Sequence, residues 1–101
     1  MEDLNDAAMK IVAQIPYNVP ITRTQLVCWS GMSDRSVRDC ISQARKHGYI
    51  IISAMHGAGY YRTSDPEDIL GFYRREKARA RSIGISLNAA RKWLKERNIE
   101  C

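Results

Sequence analysis

Gly31-Met32-Ser33-Asp34-Arg35-Ser36-Val37-Arg38 leads through Ile41, Ala44-Arg45 and His47-Gly48-Tyr49-Ile50-Ile51 to Gly57-Ala58-Gly59-Tyr60-Tyr61, and this stretch decides how the chain is read. The Ser33 hydroxyl suits a helix N-cap, where it accepts from a free N–H of the first turn. Val37, Cys40, Ile41 and Ala44 follow at i, i+3, i+4 and i+7, the spacing of one buried helix face. That helix is expected to run to about His47 and to stop at Gly48. Gly31 closes an earlier helix expected over 23–30, with Thr22 as its cap and Leu26, Val27 and Trp29 inward. Tyr49 to Ser53 is β-branched and aromatic, as strands are. Gly57 and Gly59 supply a turn, and Tyr60 to Thr63 returns as a second strand. Helix, tight turn, helix and β-ribbon follow in that order.

Outward from this centre, Asp3 can cap a first helix reaching about Gln14, with Leu4, Ala7, Ala8, Ile11, Val12 and Ile15 on one face. Pro16 and Pro20 bracket the loop that ends it, and Ile21 can add a very short strand at the ribbon's edge. On the other side, Asp65-Pro66 pairs a cap with a proline at the first helical position. A helix is expected from there to about Ser82, with Ile69, Phe72, Tyr73, Ala80 and Ile83 along a stripe broken by Glu76. Gly84 marks a break, Ser86 a cap, and 87–97 a last helix with Leu87, Ala90, Trp93 and Leu94 inward. The expected fold is mainly α with a small β-hairpin wing: a winged helix-turn-helix over 1–64 and a basic pair of C-terminal helices over 65–101.

At 101 residues and 45% hydrophobic content the chain can bury a modest core. The longest apolar run, 49–55, contains Ser53 and is far too short for a membrane span. The acidic opening Met1-Glu2-Asp3 is unlike a secretory leader, so a cytoplasmic protein is expected. Cys28, Cys40 and Cys101 form an odd set without metal-binding spacing to His47 or His56. Cys28 and Cys40 are expected on apolar helix stripes as small hydrophobes, and no metal or cofactor is expected. The net charge of +5 is uneven: residues 1–73 hold 7 Lys+Arg against 8 Asp+Glu, and residues 74–101 hold 9 against 3. A polyanionic partner suits that tail.

Opposite the apolar face of the helix capped by Ser33 stand Arg35, Arg38, Asp39, Ser42, Arg45 and Lys46. Arginine reads guanine bidentately in the major groove, with serine and aspartate making lesser contacts. Ser33, with the first N–H groups of the helix, can hold a phosphate. A bland reading makes the same residues a solvated face; the preceding helix, the turn and the wing favour a duplex-facing one. Arg62 and His56 on the wing are candidates for backbone or minor-groove contact. Arg62 can equally pack its stem along Tyr60.

The quoted stretch resembles the winged helix at the N-terminus of biotin operon repressors. Shared features are a small residue and Ser opening the recognition helix, a Val-Arg pair, a closing Gly, and Gly-x-Gly-Tyr in the wing. The resemblance covers roughly residues 8–64. It implies double-stranded DNA binding, with Arg35, Ser36, Arg38 and Ser42 on the DNA-facing helix. No biotin-ligase or sugar-sensing domain follows, so ligase activity and effector control are not implied. The tail, with Arg79-Ala80-Arg81-Ser82-Ile83 and Ala89-Ala90-Arg91-Lys92-Trp93-Leu94, is similar to small stand-alone winged-helix proteins of bacteriophages and prophages.

Three readings of the tail stand open: a homodimer contact, a DNA-backbone contact through Arg74, Arg75, Lys77, Arg79, Arg81, Arg91 and Lys92, or simple completion of the fold. An enzyme would need a nucleophile with its base, paired carboxylates in a cleft or a metal cluster, and the sequence offers none, so no enzymatic activity is expected. The expected function is sequence-specific DNA binding by a bacterial or phage-type transcriptional regulator. The alternatives are a winged-helix protein–protein module and an accessory to phage replication or recombination.

Overall fold

The structure is a computed structural model that describes residues 4–54, 57 and 59–99. Asp3, His56, Ala58 and Cys101, all named above, lie outside the described residues. The elements in order are α1 (Asp6–Gln14), α2 (Arg23–Ser30), α3 (Asp34–Lys46), β1 (Ile52–Ser53), β2 (Tyr60–Tyr61), α4 (Pro66–Ser86) and α5 (Asn88–Glu96). The protein is mainly helical, with one small antiparallel hairpin. The chain divides into two compact units, 1–69 and 70–101, the division falling inside α4.

Each helix of the first unit starts where a side chain satisfies a free N–H. Asn5, not Asp3, caps α1, its Oδ1 accepting from Ala8 N at 2.8 Å. Thr22 and Gln25 form a reciprocal capping box on α2, at 3.0 and 2.8 Å. Ser33 Oγ accepts from Ser36 N at 3.1 Å at the head of α3. Gly31 stops α2 in the left-handed region at φ 72°, and the three-residue turn 31–33 leads directly into α3.

The core is built from α1, α2 and α3 with the run into β1. Ala8, Ile11, Val12 and Ile15 meet Leu26, Val37, Cys40, Ile41, Ala44 and Ile51, all buried. Two inward assignments fail: Ala7 and Trp29 are exposed. Cys28 is exposed as well, because α2 offers the core little beyond Leu26, whereas Cys40 is buried. Burial raises the Cys40 thiol pKa, and the neighbouring Asp39 charge adds to that.

The hairpin is shorter than the β-rich run suggests. Among the described residues β1 and β2 pair at Ile52↔Tyr61 and Ser53↔Tyr60, and Tyr49 and Ile50 are exposed outside the ladder. Tyr49 N instead donates to Ala44 O at 3.1 Å, so its backbone closes the end of α3. A third segment compensates on the far edge. Ile21 and Tyr60 exchange two backbone hydrogen bonds of 2.8 Å each, and Tyr17 bridges Arg62 in parallel. This close approach needs Gly59, whose φ is +115° and whose missing Cβ would lie 2.1 Å from Ile21 O.

Thr63 Oγ1 accepts from Asp65 N at 3.0 Å, and Asp65 Oδ1 accepts from Glu67 N at 3.0 Å to open α4. The expected break at Gly84 does not occur. Helix α4 runs through it to Ser86, since glycine inside a helix costs only about 1 kcal/mol. Ser86 does not cap α5. Its hydroxyl donates back to Ile83 O at 2.7 Å, and Leu87, in a right-handed helical conformation, is the single residue between the two helices. No residue of α4 or α5 is buried, so the inward placement of Leu87, Ala90, Trp93 and Leu94 is not met within one chain. No helix is long and apolar enough to cross a membrane among the described residues.

Replacing Gly59 tests the seating of the hairpin. Gly59→Ala is expected to destabilise the fold by about 2–4 kcal/mol, combining strain at positive φ with a backbone collision. A urea unfolding midpoint indistinguishable from wild type would contradict this.

Candidate nucleic-acid interface

Helix α3 is held by one face and free on the other. At about 100° per residue, Arg35, Asp39, Ser42 and Lys46 lie within roughly 60° of one another, diametrically opposite the centre of the buried stripe Val37, Cys40, Ile41 and Ala44. All four are exposed. Arg38 lies further round, on the flank that faces α2. Its Nε is 3.2 Å from Asp34 Oδ2, a one-turn ion pair, and its side chain is 55% exposed. The contact engages Nε only, so neither terminal nitrogen of Arg38 is needed for it.

The other Asp34 oxygen pairs with Arg23 Nε of α2. The Arg23 pKa is raised, first by a hydrogen bond between its side chain and Tyr60 and then by the Asp34 charge. Arg23 therefore ties the start of α2 to the start of α3 and to β2. An open groove of about 640 Å³ lies along this junction, lined by Thr22, Arg23, Asp34, Ser53 and Gly59 among others. These exposed pairs contribute little stability; their effect is to fix where the guanidinium groups point. The one-turn spacing of Asp34 and Arg38 is visible in the sequence. The role of Arg23 is not, because its partners lie across a turn and across the hairpin.

The remaining candidates divide by environment. Ser33 and Ser36 bond to each other, Oγ to Oγ at 3.0 Å, while Ser33 also caps the helix. Arg45 is half-buried and turned to the hairpin. Its Nε and Nη2 donate to Ile51 O at 2.9 and 2.7 Å, and Nη2 also donates to Ser53 Oγ at 3.0 Å. Arg62 donates through Nε to Ile15 O at 3.1 Å, and its guanidinium stacks 4.7 Å above the Tyr17 ring. Both arginines brace the first unit, and the expected packing of Arg62 along Tyr60 is replaced by stacking on Tyr17. Arg74, Arg75, Lys77, Arg79 and Arg81 are all exposed on α4. Arg74, Lys77 and Arg81 share one face, beside a shallow groove that ends at Ile85.

No group of three or more His, Cys, Asp or Glu positioned to hold a metal ion occurs among the described residues. No protein-family model, curated protein or solved structure matches the chain.

Bracing by Arg45 has a measurable signature. Arg45→Met leaves the Ile51 carbonyl without its guanidinium donor and is expected to cost roughly 1–3 kcal/mol of stability. Unchanged thermal unfolding in that variant would remove the bracing role.

Proposed function

We propose that the first unit is a winged helix-turn-helix that binds double-stranded DNA, with α3 entering the major groove and the hairpin acting as the wing. The observation that carries this reading is the geometry of α3. Its apolar face is fully packed, while Arg35, Arg38, Asp39, Ser42 and Lys46 stand exposed on the rest of the helix. A helix held in that way can present guanidinium groups to base edges at little additional entropic cost. The resemblance to biotin operon repressors supports the same assignment. In this reading Arg35 and Arg38 read bases. Ser42 and Asp39 add lesser contacts, Ser33 and Ser36 lie near a phosphate at the head of the helix, and Arg45 and Arg62 support the frame. The biological role that fits best is a small regulator of bacterial or phage type, or an accessory to phage DNA metabolism.

Charge balance favours one competing reading. Residues 1–69 hold 7 Lys+Arg against 8 Asp+Glu, so the unit carrying α3 is not itself basic. Most of the nonspecific attraction to a polyanion would then come from residues 70–101, with 9 Lys+Arg against 3 Asp+Glu. A winged helix used for protein–protein contact would have the same balance in its first unit.

Titration of the protein on random-sequence duplex at increasing salt separates the two. DNA binding is expected to weaken by about 0.9 log units per log unit of salt for each phosphate neutralised. Absence of binding at low salt would leave the protein-contact reading. On a site selected from a random duplex pool, Arg38→Ala is expected to cost about 1–3 kcal/mol, with a much smaller loss on random DNA. Equal losses on both would reduce Arg38 to a phosphate contact.

A further inference from the structure

The C-terminal helices pose a physical problem that the second unit does not solve by itself. Along α4, Tyr73, Ala80 and Ile83 form one apolar stripe with Glu76 in its middle. Around α5, Leu87, Ala90, Trp93 and Leu94 form another, with the C-cap residue Arg97 at its C-terminal end. Tyr73, Ile83, Leu87 and Trp93 are 56, 52, 51 and 50% exposed. A nine-residue helix is below the length that holds itself in water, so α5 needs its apolar face covered. Within its own unit nothing does this. With only Leu87 between the helices, α5 has no loop with which to turn back antiparallel onto the α4 stripe.

We infer that the cover is a second copy of this chain, with α5 of each protomer lying on the α4 stripe of the other, so that Arg97 of one copy meets Glu76 of the other twice about a two-fold axis. Complementary charge points to this occupant. Each stripe carries one ionisable residue, Glu76 midway along the α4 stripe and Arg97 at the C-terminal end of the α5 stripe, and the two are of opposite sign. The Glu76 side chain makes no hydrogen bond or ion pair among the described residues. Arg97 is placed over the Trp93 ring at 3.9 Å and donates to Trp93 O at 3.3 Å, with no carboxylate partner among the described residues. Lys92 and Lys95 lie away from the α5 stripe and Arg91 borders it beside Leu87, so most of the basic charge of α5 stays at or beyond the rim of the contact.

Area agrees with charge. The four half-exposed side chains present on the order of 500 Å² per copy, so a two-fold pairing buries roughly 1,000 Å² before the flanking residues are counted, the threshold of a specific interface. An isologous pairing satisfies both stripes and both charges at once and leaves no unpaired face to propagate. This inference does not depend on DNA binding.

The test is the mass of the intact chain in solution by sedimentation equilibrium, with circular dichroism to confirm that each variant is folded. Wild type is expected at about twice the 11.5 kDa chain mass at micromolar concentration. Glu76→Arg and Arg97→Glu, made singly, place like charges opposite each other and are expected to weaken dimerisation at least tenfold. The double variant E76R/R97E exchanges the two charges and is expected to restore the dimer. Trp93→Ala is expected to give a folded monomer. A wild-type monomer at 100-fold higher concentration (about 100 μM), with this face occupied by DNA or an acidic protein instead, would overturn the inference, as would a double variant no better than either single one.

Discussion

The packing of Val37, Cys40, Ile41 and Ala44 against α1 is the constraint on which the rest of the first unit depends. Once that stripe is buried, the azimuth of every other residue on α3 is fixed, and the positions opposite it point outward. Asp34 then lies beside α2, where it can hold Arg23 and Arg38 together. Arg45 faces the hairpin, where it finds the Ile51 carbonyl. The chemistry proposed for the outward face is thus a consequence of how the inward face packs. A change in the core would re-aim the arginines without touching them.

The hairpin shows how a very short sheet is made durable. Two paired residues per strand would be marginal alone. Here one edge is closed by Ile21, the other strand and the residue before it bury Ile52 and Ile51, and the guanidinium of Arg45 reaches across from α3. Gly59 permits the close approach of the two backbones at the Ile21 edge. The first unit is therefore a helical core with a ribbon fastened to it at several points, rather than two independent motifs.

What could be read from the residues, and what could not, follows from the range of the forces involved. Helices α2 and α3 were legible because their caps and stops are local: Thr22 with Gln25, Ser33 with Ser36, then Gly31 and Gly48. The strand over 49–53 was overdrawn because β-propensity does not reveal that the Tyr49 N–H is already engaged at the end of α3. Gly84 and Ser86 look like punctuation in the sequence, yet a helix with no competing contact simply continues through them. For the proposed interface, the outward arginines of α3 follow from the apolar period. The engagement of Arg45 and Arg62 with carbonyls, and the partnership of Arg23 with Asp34 and Tyr60, depend on tertiary neighbours that no window of sequence contains.

The hydrogen bonds of Arg45 also bear on how variation at that position should be interpreted. Two nitrogens of one planar group address a single carbonyl while one of them also reaches a hydroxyl, a geometry that a lysine ammonium cannot reproduce. Selection would therefore be expected to retain arginine there even if no ligand ever touched it. In a basic helix of this kind, strict retention of an arginine can be a record of architecture, and tolerance of lysine is the more informative sign of a purely electrostatic encounter.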